Sequence, residues 1–126
     1  MKPLSSVLEK LVEEVSKALG FRAGVGWSPS AKVPAATIQM RSCEITPLDI
    51  NVSKHLVDMS LQVDLWDASP LARDRAADSL IQHFENERGR IAEELGLCGL
   101  RFEAVADVDD EHAFRKMLLL RLRMVG

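Results

Sequence analysis

A chain of 126 residues that is 47% apolar and 28% charged, with a formal net charge of -3, has the make-up of one ordinary globular domain, which excludes a disordered or low-complexity protein. The acidic balance, the lack of tyrosine and an aromatic content of 5% leave neither an electrostatic nor a stacking basis for nucleic-acid recognition. Two cysteines outside any CxxC pair, Cys43 and Cys98, are too few for a secreted disulfide framework, and no apolar run approaches the roughly 20 residues of a membrane-spanning helix.

Leu4, Val7, Leu8, Leu11, Val12, Val15 and Leu19 recur at helical spacing, with Glu9, Lys10, Glu13, Glu14 and Lys17 on the other side. This spacing predicts an amphipathic N-terminal helix closed by Gly20. Its polar residues also break up the continuous apolar segment that a signal peptide requires, so a cytoplasmic product with reduced cysteines is expected. The stretch "FRAGVGWSPSAKVP" is punctuated by Gly24, Gly26, Pro29 and Pro34 and reads as loop, with Val25, Trp27 and Val33 tucked against the body. Ala36 to Ile45 reads as a first strand whose alternation falters at Ser42 and Cys43. After the loop "TPLDINVSK", strict alternation of Val57, Met59, Leu61, Val63 and Leu65 with Asp58, Ser60, Gln62 and Asp64 predicts a second strand with one buried face.

Ser69-Pro70 is where the period changes. Serine suits the N-cap and proline the first turn, where no N–H donor is needed. The helix that follows runs from Pro70 to Leu95, ~39 Å at 1.5 Å per residue, and a bend or break near Gly89, or a projecting end, is expected. Leu100, Phe102, Ala104, Ala106 and Val108 predict a third strand. "DVDDEHA" is an acidic connection. In the last strand, Phe114 to Val125, Leu118, Leu120, Leu122 and Met124 share one face, and Arg115, Met117, Leu119, Arg121 and Arg123 the other.

The expected element order is therefore αββαββ in a single α+β domain over residues 1–126. Two hairpins joined by a right-handed crossover, with the most apolar strand placed centrally, give a four-stranded, mainly antiparallel sheet of order 1-2-4-3 with both helices on one face. The other face pairs Asp58 and Asp64 with Arg121 and Arg123 and also carries Met117, Leu119 and Trp66. Apolar residues on that face point to a partner, to cover by the loop after the first helix, or to incidental exposure.

Catalytic and metal-binding patterns are scarce. His55, His83 and His112 have no second ligand at zinc spacing, and His83 reads as a surface or boundary residue. Asp107, Asp109, Asp110, Glu111 and His112 are dense enough in carboxylates to hold a hard cation. The run lacks the glycine and terminal glutamate of an EF-hand, however, and a solvated hairpin turn is the preferred reading. The mixed charges of "ARDRAADSLIQHFENERGR" describe a solvated, internally paired helix face. No catalytic residue, cofactor or metal is expected.

Four segments in this order, "LSSVLEKLVEEVSKALG", "VPAATIQM", "VDMSLQVDLWDASP" and "AVADVDDEHAFRKMLLLRLRMV", resemble the tail terminator and tail-completion proteins of long-tailed bacteriophages, including the lambdoid tail terminator. The long charged second helix and the weak first strand depart from that pattern. The resemblance implies a structural protein of the virion tail, assembled in the host cytoplasm. It would form a ring, commonly a hexamer, that caps the tail tube, ends its polymerisation and offers a surface to the head connector. Its partners would be further copies of itself, the tail tube protein and the connector or neck protein. In such a ring each contact is heterologous, and charge suggests an acidic patch of Asp107, Asp109, Asp110 and Glu111 facing a basic one that includes Arg121 or Arg123. The alternatives are a head-to-tail joining or neck protein and, in another class, a ferredoxin-like small-ligand-binding regulatory module.

Overall fold

A computed structural model of the chain describes residues 3–26, 32–51, 53–108 and 114–126. Its elements are α1 (Leu4–Leu19), β1 (Gly24–Val25), β2 (Ala35–Pro47), β3 (His55–Asp67), α2 (Pro70–Leu95), β4 (Leu97–Asp107) and β5 (Phe114–Val125). The sheet order is β1-β2-β3-β5-β4, so the fold is a five-stranded α+β arrangement of order αβββαββ. This corrects the expected four-stranded 1-2-4-3 sheet and the αββαββ order. The added strand is Gly24–Val25, which runs parallel to Thr37 and Ile38 while the Gly26 N–H donates to the Ile38 carbonyl at 2.9 Å. Two residues are too few to show a period, and the glycines around them read as loop punctuation.

Both helices end where their glycines allow. Gly20 and Gly96 adopt the left-handed backbone, at φ 80° and 70°, and each returns its N–H to the last turn. At the start of α2, Ser69 Oγ accepts the Ala72 N–H at 3.1 Å, and Pro70 occupies the first turn. The expected break near Gly89 does not occur, nor does the end project. α2 runs unbroken, and Ile91 and Leu95 in its last turns are buried. Its length is used: His83, Arg90 and Glu94 of its C-terminal half reach Glu14 and Lys10 of α1.

One face of the sheet makes the core. Val57, Met59, Leu61, Val63 and Leu65 of β3 and Leu118, Leu120, Leu122 and Met124 of β5 are all essentially inaccessible. They meet Val7, Leu11, Val12 and Val15 of α1 and Ala77, Leu80, Phe84, Ile91 and Leu95 of α2. Burial of each large aliphatic side chain stabilises the fold by about 1.5–3 kcal/mol before its entropy cost. Phe84 also meets Phe102 of β4 edge-on, with ring centroids 5.4 Å apart.

Three register shifts redirect side chains, one of them in β4 between Leu97 and Gly99. In β2 the register shifts between Met40 and Ser42, so Ser42 faces Ser60 and Cys43 faces Met59, which accounts for the faltering alternation there. In β4 a second shift falls between Phe102 and Ala104. Leu100 and Phe102 point into the core, but Val105 and Asp107, rather than Ala104 and Ala106, continue on that side. The single-face reading of this strand is corrected accordingly.

Candidate functional site

The sheet face turned away from the helices carries most of the protein's ordered polar chemistry. Period two puts Asp58, Ser60, Gln62, Asp64 and Trp66 of β3 there, beside Arg115, Met117, Leu119, Arg121 and Arg123 of β5. Asp58 accepts from Arg121 through Nε at 2.9 Å and Nη2 at 2.7 Å, and from Arg123 Nε at 3.2 Å. Arg121 Nη1 reaches Glu103 of β4 at 2.9 Å. These bonds, Arg121's first, hold the Asp58 carboxyl below its ordinary range, and Asp58 followed by Glu103 pushes the Arg121 guanidinium up. Arg121 thus spends its donors inside the chain. Arg123 and Arg101 remain largely exposed, and with Cys98, Gly99 and Arg121 they border a depression of about 230 Å³.

Further along the same face Asp64 is completely buried. It accepts from Arg115 Nε at 2.9 Å and from Gln62 Nε2 at 2.8 Å, while Gln62 Oε1 takes a bond from Arg41 at 3.1 Å. The Arg115 guanidinium lies 5.8 Å from the centre of the Trp66 ring. Trp66 is buried, and Met117 and Leu119 are half-buried.

Asp107, expected to belong with an outward acidic patch, sits on the helix side. The β4 irregularity turns it there, where it meets Lys116 at 3.2 Å and Arg73 of α2 at 3.3 Å. Asp74 completes the group, 2.7 Å from Lys116 and 3.1 Å from Arg73. The structure therefore does not bring Asp107 together with Arg121 and Arg123. Asp109, Asp110, Glu111 and His112 lie outside the described residues, as does Trp27. Among the described residues no group of three or more His, Cys, Asp or Glu is placed to hold a metal ion. Both cysteines are free, Cys43 half-buried and Cys98 exposed. No helix among the described residues is long and apolar enough to cross a membrane.

A residue placed on the wet side of α1 by the sequence reading is at the centre of an ion cluster instead. Glu14 is fully buried. Its carboxylate lies 2.6 Å from Arg90 Nη2, 2.9 Å from His83 Nε2, 3.6 Å from Lys17 and 3.7 Å from Lys10. Burial pushes this carboxyl up, but the hydrogen bonds from Arg90 and His83 and the charges of Arg90 and Lys17 outweigh it and hold the group at about 2. The signal was present in the spacing: Glu14 follows Val7 by seven residues and Leu11 by three, on the same stripe.

The far end of the β2–β3 hairpin is apolar and outward. Ile45 and Leu48 are about half exposed, and Ile50 is 99% exposed, while Val125 at the end of β5 is also open to solvent. The turn is held in shape. Asp49 Oδ1 accepts the Ser53 N–H at 2.9 Å, Ser53 Oγ bonds the other carboxylate oxygen, and the Leu48 N–H donates to the Lys54 carbonyl at 2.9 Å. Near β1, a second depression of about 280 Å³ is bordered by Glu9, Val12, Glu13, Arg22 and Val25.

No family model matches the sequence, and no curated protein matches it. Among solved structures, a chain of the virion of a native gene transfer agent (GTA) particle is similar in fold. The TM-score is 0.52, covering 98% of this chain and 95% of that one, at 16% sequence identity. At that identity the likeness is one of fold.

Proposed function

We propose that this chain is a structural component of a phage-like virion, and that it assembles as a ring which caps the tail tube, ends tube polymerisation and joins it to the head. The observation that carries this reading is the end-to-end fold likeness to a chain of the GTA particle, which leaves almost none of either chain unmatched. The resemblance of the sequence segments to tail terminators points the same way. The role needs no reacting group. It needs a rigid body with different patches for its neighbours, and each side of this sheet is pinned by an ion-pair network that spans three elements.

In the ring each contact is heterologous, with further copies, the tail tube protein and the connector as partners. Arg123, exposed beside Arg101, is the basic residue best placed to meet a neighbour, since Arg121 is taken up by Asp58 and Glu103. Its counterpart is the acidic run Asp109, Asp110 and Glu111, with Asp107 anchoring the strand that leads into it. The test is negative-stain imaging with mass measurement of the purified protein, alone and mixed with tail tubes. Rings, free or seated at tube ends, are expected. A protein that stays monomeric and leaves tubes bare would overturn the reading, and density confined to the neck would reassign the chain as a joining protein.

A further inference from the structure

We infer that the tip of the β2–β3 hairpin is a knob that seats in the depression between α1 and β1 of a second copy of this chain. The inference rests on the ring reading and names the contact that builds the ring. The knob is Ile50, with Leu48 beside it in the turn, and Ile50 has essentially no contact with its own chain. A single exposed aliphatic residue is ordinary. Here three lie within six residues, Ile45 near the end of β2 and Leu48 and Ile50 on a turn fixed by the Asp49–Ser53 bonds, with exposed Val125 at the same end of the sheet. A turn that is ordered yet displays its apolar side chains is preorganised for a partner.

The socket has the complementary make-up. Val12 and Val25 supply an apolar floor, and Glu9, Glu13 and Arg22 supply a charged rim. The knob carries Lys54 and Asp49 around its apolar tip, so Lys54 opposes Glu9 and Glu13 while Asp49 opposes Arg22. Knob and socket cannot meet within one chain. β1 lies beside Thr37 and Ile38, near the start of β2, and the knob follows Pro47 at its end. At about 3.3 Å per residue the two are roughly 30 Å apart along one strand. A knob and a socket at opposite ends of a rigid body make a head-to-tail contact, which closes into a ring when the rotation permits.

The contact also agrees in direction with the proposed charge pairing. Arg123 lies at the knob end of the sheet, and β4 ends with Asp107 at the socket end. One copy thus offers an apolar tip and a basic residue, and the next offers an apolar groove and acidic residues.

The test places a photoreactive benzophenone amino acid at position 50 of the full chain and maps its crosslinks by mass spectrometry, with and without tail tubes. Adducts to residues between Glu9 and Val25 of another copy are expected. Ile50→Asp should raise the self-dissociation constant about tenfold or more while leaving the melting temperature unchanged, since the side chain touches nothing at home. Lys54→Glu should weaken association, and adding Glu13→Lys should restore it. Rings whose crosslinks map elsewhere, or to the tail tube protein, would overturn the knob and leave the ring standing. Socket adducts in open chains without rings would keep the knob and remove the ring. A protein monomeric under every condition would overturn the knob.

Discussion

Glu14 shows how much one residue decides. Its carboxyl sits at about 2 rather than the usual 4.5, so the folded state binds its proton more weakly than the unfolded chain. The linked stability is fully present above pH 4.5 and drains away as pH falls through 2, an effect on the order of 3 kcal/mol. Acid titration of the fold should therefore show a steep loss between those values, and Glu14→Gln should flatten it. The same variant should cost about 2 kcal/mol at neutral pH, because glutamine offers a single acceptor where the carboxylate meets Arg90 and His83. Urea unfolding measures this directly. Arg121 and Arg123 call for separate tests. Arg121→Glu would set a third carboxylate against Asp58 and Glu103, so it should lower the melting temperature as well as assembly. Arg123→Gln, half exposed and still able to donate to Asp58, should reduce ring yield with little change in melting, and wild-type yields from it would remove Arg123 from the interface.

The elements were legible wherever a residue type and a period agreed. Ser69-Pro70 and Gly96 mark the ends of α2, and the alternation of Val57 to Leu65 marks β3, as the structure has them. Loss of the cap by Ser69→Ala should cost about 1 kcal/mol in thermal or urea unfolding. Three features did not show in the sequence. β1 is shorter than any period. The register shifts after Met40 and after Phe102 hide the true faces of Cys43 and Asp107, because an extra residue flips all that follows it. The unbroken α2 defies its Gly89 because propensity is outweighed by packing: Ile91 and Leu95 lie beyond that glycine in the core, so ending the helix there would forfeit their burial. The candidate site was legible in part. The basic residues of β5 were identified on the correct face, but their partner Asp58 and the neighbouring Glu103 leave only Arg123 outward. The knob drew no attention because "TPLDINVSK" lacks any pattern. Its meaning lies in exposure, which only three dimensions provide.

At the scale of the whole molecule, the protein is a plate with one oily side closed by helices and one side tied by ion pairs. β1 accompanies β2 only at Thr37 and Ile38, although β2 continues to Pro47. Nine residues of backbone thus run along a margin that β1 does not cover, the sort of seam along which proteins zip into fibres. The kink after Met40 and the charges of Arg41 and Glu44 interrupt that seam. Removing Arg41 would straighten it while leaving Ser42 and the residues after it in their present register with β3, so a deletion variant should form thioflavin-positive fibres under conditions that leave the parent clear. Safety from amyloid, on this view, is written into a single surplus residue.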